Sequence, residues 1–175
     1  YLIGDPKQAI YKFRGADIYS YLDAQQQAEH QFTLGKNWRS HPQLVGAVNA
    51  LFQRDHAFLL DGLEFIEVKP ALSANDGELH HAGQAVAPMQ LWQLPESDSN
   101  SGYWTAGKAA EEIRIAVVNE VVDLLTGDYS LQPMNRVLQP KDIAILVRPN
   151  SQARDYQAAL RLVGVPSVLN STESV

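Results

Sequence analysis

The sequence predicts an α/β fold with a parallel sheet. Residues 142–147 form a nearly continuous aliphatic run, which is typical of a strand buried on both faces. A helix predicted from a cap at Ser151 to Gly164 follows this run, and residues 165–169 form a second apolar strand. Because a strand, a helix and a strand follow one another here, the two strands are expected to lie parallel in one sheet.

The remaining elements follow from hydrophobic spacing and from capping residues. Asp17 and Ser40 are suited to begin helices, and Gly127 is suited to end one. Polar residues 73–83 predict a loop. In chain order, the other predicted elements are a strand end at residues 1–3, a helix at about 18–29, a strand at 32–34, a helix at 41–52, strands at 63–68 and 89–94, and a helix at 106–125.

Composition limits the classes of function. The chain has 175 residues and no cysteine, so disulfides and cysteine-based metal sites are excluded. Its formal net charge of −6 argues against a broad basic face for nucleic acid, so any DNA contact must rest on local residues. No apolar run approaches the roughly 20 residues of a membrane span. Because residues 1–3 look like the end of a core strand, we expect the chain to be part of a longer protein.

The first chemical motif spans residues 4–17, between a strand end and a helix. Gln8 is a neutral donor and acceptor that could sense a phosphate. Tyr11 and Phe13 offer flat faces for bases, and the cations beside them, such as Arg14, can meet phosphates. This pattern suits single-stranded nucleic acid. A solvated turn with core aromatics is the alternative interpretation.

The second motif is Asn37-Trp38-Arg39-Ser40, at a strand-to-helix turn. Arg39 could stabilise charge that develops on a phosphoryl group, as an arginine finger does. Trp38 could stack on a nucleobase. A surface arginine beside a half-buried tryptophan is the alternative.

Two further groups of polar residues are weaker candidates for a functional site. Glu78, His80 and His81 lie close in the sequence, but two or three neighbouring ligands do not make a metal site, so a surface loop is favoured and no metal site is predicted. Asp123 and Asp128 flank the end of a predicted helix and are interpreted as solvated.

Taken together, the two chemical motifs resemble a known family. The run GDPKQAIYKFRGAD is similar to motif III of the UvrD/Rep-type superfamily 1 DNA helicases, and NWRS resembles their motif IV. The LVR run that ends at Arg148 resembles motif IVa. The resemblance is strongest to the helicase subunit of RecBCD-type helicase–nucleases, and the motifs do not separate these from AddA-type subunits. It covers about residues 1–55 and 140–175.

The resemblance implies a RecA-like (P-loop NTPase-like) fold, in which helices flank a parallel sheet. Residues 1–30 would be the tail of the first RecA-like motor domain and its crossover. Residues 31–175 would form part of an incomplete second motor domain, with variable loops at about 70–105.

The resemblance also implies roles at the nucleotide. Gln8 would contact the γ-phosphate of ATP and couple it to DNA, and Arg39 would be the arginine finger. Trp38 stands where a tyrosine is common in the family and would stack near adenine. The chain has no GxxxxGK[ST] phosphate loop, so ATP and Mg²⁺ would be bound mainly by other parts of a longer protein, and the isolated chain is expected to be inactive.

The remaining implied roles concern DNA and protein partners. Tyr11 and Phe13 would lie under the bases of single-stranded DNA, with Arg14 supporting that surface. Arg148 and Asn150 would approach the DNA backbone. Single- and double-stranded DNA and RecC- and RecD-like subunits are the expected partners, in the bacterial cytoplasm and without a membrane. A non-catalytic, helicase-like α/β module that docks protein partners is the second hypothesis.

Overall fold

The fold is taken from a computed structural model, which describes residues 3–5, 18–55, 57–58, 63–73, 77–97 and 102–170. The chain divides into two compact units, Tyr1–Ala74 and Asn75–Val175. Each unit contains both helices and short strands, so the predicted α/β class is confirmed. The assignment of residues 1–30 and 31–175 to two motor domains stays a prediction.

The first unit contains a small parallel pair of strands. Its elements, in chain order, are helix α1 (Ile18–Gln27), strand β1 (Lys36–Asn37), helix α2 (Pro42–Phe52) and strand β2 (Lys69–Pro70). Strand β1 pairs with β2 in parallel, with Lys36 opposite Lys69. The Lys69 N–H donates to the Gly35 carbonyl at 2.8 Å, so the ladder begins one residue before β1.

Helix α2 lies close to its predicted position but begins differently. His41, not Ser40, is its N-cap, because Nδ1 of His41 accepts the Gln43 N–H at 3.3 Å. Pro42 occupies the first helical position, where its missing N–H is not needed. Val45 and Asn49 form the buried face of the helix. At its end Phe52 stacks on Phe58 and Phe65, with ring centroids 5.6 Å and 5.8 Å away.

The second unit is built on a four-stranded antiparallel sheet. Its elements, in chain order, are strands β3 (Leu79–His81) and β4 (Gln84–Ala85), helix α3 (Ala106–Thr126), strands β5 (Tyr129–Leu131) and β6 (Arg136–Val137), a short 3-10 helix (Pro140–Asp142) and helix α4 (Asn150–Leu162). The strand order is β4-β3-β5-β6. Every pair in this sheet is antiparallel.

The predicted loop at residues 73–83 is wrong, because part of it forms strand β3. Strands β3 and β4 are joined by Ala82 and Gly83, whose φ angles of 50° and 78° are both positive. Two consecutive positive φ angles are the geometry of a tight hairpin turn, which Gly83 adopts without steric cost.

Helices α3 and α4 confirm the last two helix predictions. Helix α3 begins after Thr105, whose side chain accepts the Lys108 N–H at 3.4 Å, and ends at Gly127 as predicted. Helix α4 begins at Asn150 with Pro149 at its N-cap, so the predicted cap at Ser151 is wrong. Gly164, with a φ of 78°, follows its end in the left-handed conformation typical of a helix stop.

The core of the second unit lies between α3 and α4. Val118 and Val121 of α3 pack with Leu160 of α4, and Ile143 and Ile145 pack against this cluster. Residues 142–147 therefore contribute one face to the core through alternate side chains. Leu146, on the other face, is 95% exposed, so the prediction of a strand buried on both faces is wrong.

The other predicted strands are also displaced or unpaired. Residues 32–34 and 63–68 lie just before β1 and β2, so pairing begins later than predicted. Residues 89–94 and 165–169 are outside the described strands. The physical reason is that a strand requires a hydrogen-bonded neighbour, which apolar spacing alone does not reveal. Within the described part of the chain, no helix is long and apolar enough to cross a membrane.

Candidate nucleotide and nucleic-acid interface

The turn between β1 and α2 is organised by the side chain of Asn37. Its Oδ1 accepts hydrogen bonds from the backbone N–H groups of Arg39 and Ser40, both at 2.9 Å. An asparagine that bonds to the backbone two residues further on replaces a backbone turn and redirects the chain. The two intervening side chains, Trp38 and Arg39, are thereby carried on an ordered turn.

Trp38 and Arg39 are both exposed on this turn. Trp38 is 69% exposed, so the alternative of a half-buried tryptophan is not what the structure contains. Arg39 is exposed, and among the residues that the structure describes it has no carboxylate within salt-bridge distance. A flat indole and an available guanidinium on one turn could meet a base and a phosphate.

An open depression of about 130 Å³ lies beside the turn. Four aliphatic side chains and two polar residues line it: Asn37, Ser40, Leu44, Val45, Val48 and Val68. Half of the lining, Leu44, Val45 and Val48, comes from the first two turns of α2. The turn therefore stands next to an apolar wall.

Asn49 supports this region from inside α2. It is buried, its Nδ2 donates to the Val68 carbonyl at 2.8 Å, and its Oδ1 accepts the Val68 N–H at 3.4 Å. Since Val68 directly precedes β2 and β2 pairs with β1, Asn49 fixes the strand that supports the turn. Neither Asn37 nor Asn49 was singled out as a site residue from the sequence. An asparagine two residues before Arg39 was a usable indication of the turn.

The second unit carries two more of the predicted DNA residues. Arg148 and Asn150 are both exposed, and they flank Pro149 where α4 begins. The first turn of α4 has no acidic residue. An exposed arginine beside a helix N-terminus is compatible with a phosphate contact, because both favour negative charge. Their role at the DNA backbone stays a prediction.

The predicted site residues are distributed over three parts of the chain. Trp38 and Arg39 belong to the first unit and lie together on one turn, whereas Arg148 and Asn150 belong to the second unit. The other four predicted residues lie outside the described residues: Gln8, Tyr11, Phe13 and Arg14.

One carboxylate at the end of α3 has a structural partner. Asp123, interpreted from the sequence as solvated, is exposed, and it also accepts a hydrogen bond from the Tyr129 hydroxyl at 3.0 Å, a partner that the sequence did not indicate. This bond raises the pKa of Tyr129, and burial and the charges of Asp123 and Glu120 act in the same direction. The Tyr129 ring also stacks on His81 of β3, with centroids 4.3 Å apart.

Arg136 and Asp142 form a two-point ion pair. Nη1 and Nη2 of Arg136 donate to the two carboxylate oxygens at 2.6 Å and 3.0 Å. The Gln139 N–H donates to the same carboxylate at 2.8 Å. The bond from Arg136 and the bond from Gln139 hold the pKa of Asp142 below its ordinary value.

Metal ligands are not assembled in the described residues. His80 lies in β3 and its Nε2 is 2.8 Å from Glu78, which forms an ion pair when the histidine is protonated. No group of three or more histidine or carboxylate side chains in the described ranges is placed to hold a metal ion. The residues described here therefore do not fit a Mg²⁺ site of their own.

Comparison with known proteins shows which sequences this chain resembles. The UvrD/REP helicase N-terminal domain family matches residues 1–29. The RecBCD enzyme subunit RecB of Escherichia coli (strain K12) is 35% identical over 99% of this chain and 15% of its own length. The chain is therefore similar to RecB over nearly its whole length, and its first 29 residues are similar to UvrD/REP helicases. RecB of Haemophilus influenzae is also 35% identical, over 99% of this chain and 14% of its own length.

A similar identity is found with RecB of a third organism. RecB of Mycobacterium tuberculosis (strain H37Rv) is 33% identical over 99% of this chain and 16% of its own length. The chain thus spans about 15% of the length of the curated relatives it matches. The expected resemblance to UvrD/Rep-type, RecBCD-related sequences is confirmed, and it covers the middle of the chain as well as both ends.

Proposed function

We propose that this chain is part of an ATP-dependent DNA helicase subunit of a RecBCD-type helicase–nuclease. The subunit moves 3′→5′ on single-stranded DNA with RecC- and RecD-like partners, in double-strand break repair and recombination in the bacterial cytoplasm. One observation carries the proposal. The turn that Asn37 organises exposes Trp38 and Arg39. It does so in a chain of which 99% aligns with RecB of Escherichia coli at 35% identity.

Arg39 and Gln8 are the residues to which we assign catalysis in this chain, and Arg39 is the one that the structure describes. Its exposed guanidinium meets the phosphoryl group that is transferred from ATP and stabilises the negative charge that develops there. Trp38, next to it on the turn, stacks on the adenine ring. Gln8 senses the γ-phosphate. When bound, ATP supplies the free energy for movement, and Mg²⁺ is held by residues outside the described part of this chain.

The DNA contacts are local. Tyr11 and Phe13 stack under bases of the single strand and Arg14 supports them, while Arg148 and Asn150 contact the backbone. A small set of stacking and cationic residues is compatible with the net charge of −6, since stacking does not require a basic face.

The test uses the full-length protein that carries this chain, assembled with its partner subunits. Arg39→Ala is expected to lower DNA-stimulated ATP turnover by at least about 10³-fold, because an arginine finger contributes about 10³–10⁵ to kcat. ADP binding, measured at equilibrium, is expected to persist. Arg54→Ala, in an exposed arginine just beyond α2, is the matched control and should retain turnover.

Normal ATP turnover in Arg39→Ala would contradict the assignment. Loss of partner-subunit binding in the same variant, with turnover retained, would favour the non-catalytic docking module instead. The isolated 175-residue chain is expected to show no ATPase activity above background, because its sequence has no phosphate loop.

A further inference from the structure

We propose that Asn37 is a positioning residue for Arg39, so that the reach of the guanidinium toward the phosphoryl group depends on one side-chain oxygen. The inference rests on the proposed role of Arg39. It gives a role to Asn37, which lies in the compared motif but was assigned no role there, and it follows from the hydrogen bonds of the turn.

Asn37 is held at both of its oxygens. Its backbone carbonyl accepts the Ala71 N–H at 2.9 Å, which attaches it to the strand pair. Its side-chain Oδ1 accepts the N–H groups of Arg39 and Ser40 at 2.9 Å each. The backbone of Arg39 is therefore connected through a single residue to the β1–β2 ladder.

The direction in which Arg39 leaves the turn follows from this connection. Fixing its amide orients the Cα–Cβ bond, and a long side chain turns a small change at its base into a larger displacement at its head. In a catalytic site a misplacement of 1 Å can cost about 10²-fold in rate. The Arg39 side chain is exposed and has no described carboxylate partner that could restore its direction.

An oxygen acceptor at position 37 is the chemical requirement. Aspartate preserves the acceptor at the same distance from the backbone, serine offers a shorter and weaker one, and alanine offers none. With alanine, the N–H groups of Arg39 and Ser40 lose their acceptor and the turn can open. The strand pairing of residue 37 involves only backbone atoms, so it survives the substitution.

The experiment separates positioning from stability by comparing a ground-state and a transition-state ligand. In the full-length assembled protein, the affinities for ADP and for ADP–aluminium fluoride, which mimics the transferring phosphoryl group, are measured for Asn37→Ala, Asn37→Asp and Asn37→Ser. Asn37→Ala is expected to weaken the aluminium fluoride complex by about 10-fold or more while leaving ADP affinity within about 2-fold. Aspartate and serine should recover part of the loss, and the kcat of ATP turnover should follow the same order.

A double substitution tests whether Asn37 acts through Arg39. In an Arg39→Ala background, Asn37→Ala should cause no further loss of ADP–aluminium fluoride affinity, because residues that act through one another are not additive. A full additional loss in that background would overturn the inference, as would an unchanged affinity in Asn37→Ala alone. Asn119→Ala, in an exposed asparagine of α3, is the control.

The two proposals fail in different ways. If Arg39→Ala binds ADP–aluminium fluoride as tightly as the unsubstituted protein, the role of Arg39 is wrong. If Arg39→Ala loses this affinity and Asn37→Ala does not, only the positioning role is wrong.

Discussion

The side chain of Asn49 forms hydrogen bonds with both the carbonyl and the N–H of Val68. The amide reaches from the buried face of α2, donating to the Val68 carbonyl at 2.8 Å and accepting its N–H at 3.4 Å. Asn49→Ala leaves both backbone groups without their partner in a part-buried region. We expect a loss of about 1–3 kcal/mol in the free energy of unfolding, which is the usual cost of an unsatisfied buried group. Urea denaturation of the 175-residue chain measures it.

Asn119→Ala is the matched control for this stability test. Asn119 is an exposed helical asparagine, and alanine has the higher helix propensity, so this variant should be unchanged or slightly more stable. If Asn49→Ala and Asn119→Ala lose the same free energy of unfolding, the contact between Asn49 and Val68 makes no specific contribution to stability.

Gly127 is required by a close approach at the end of α3. A Cβ at this position would lie 2.7 Å from the Asp123 carbonyl oxygen and 3.1 Å from the Tyr129 ring. Gly127→Ala should therefore destabilise the chain by about 1–3 kcal/mol, as overpacking does. Thermal unfolding provides the measurement. Gly107→Ala, in the same helix and with no atom within 4 Å of the added Cβ, should keep or raise stability.

Local features made the helices predictable. Apolar spacing together with Gly127 and Gly164 located the ends of α3 and α4 within a few residues. The same reasoning failed for residues 142–147, where the apolar run is genuine but only one face is buried and Leu146 is exposed. Which segments pair as strands depends on contacts between distant parts of the chain, and spacing within one segment carries no information about them.

Two residues of the candidate site were predicted from the sequence, but the hydrogen bonds that support their turn were not. Trp38 and Arg39 were identified from their types and from the resemblance, and both are exposed on one turn. Asn37 and Asn49 were missed, because their importance comes from hydrogen bonds to particular backbone atoms. Asn37 could have been found from its position before a turn, whereas the partner of Asn49 lies 19 residues away in the chain.

Acid should weaken the second unit through Asp142. Arg136 and the Gln139 N–H lower the pKa of Asp142 from its ordinary value of 3.8. A carboxylate whose pKa is lower in the folded chain stabilises the fold above the unfolded pKa, and this contribution is lost as pH falls through the folded value. We therefore expect its contribution to begin to decline at about pH 4 and to be lost as the pH falls further, through the lower pKa of the folded chain. The free energy of unfolding, measured from pH 6 to pH 3, should decrease more steeply for the unsubstituted chain than for Asp142→Asn.

Arg136→Gln tests the cause of that acid dependence. It removes the two-point ion pair with Asp142 while retaining a polar side chain, so the difference between the unsubstituted chain and Asp142→Asn should shrink in this background. An undiminished difference would mean that Arg136 is not the main source of the lowered pKa.

Trp38 should contribute to nucleotide affinity through its ring alone. Because 69% of the residue is exposed, little packing is lost when it is shortened, and the free energy of unfolding of Trp38→Ala should change by less than about 1 kcal/mol. If the indole stacks on adenine, Trp38→Ala in the full-length assembled protein should weaken ADP binding about tenfold, since a stacked base contributes about 1–3 kcal/mol. Trp38→Tyr preserves a flat ring and should retain most of the affinity. Equal ADP affinities in Trp38→Ala and Trp38→Tyr would exclude stacking as the role of this residue.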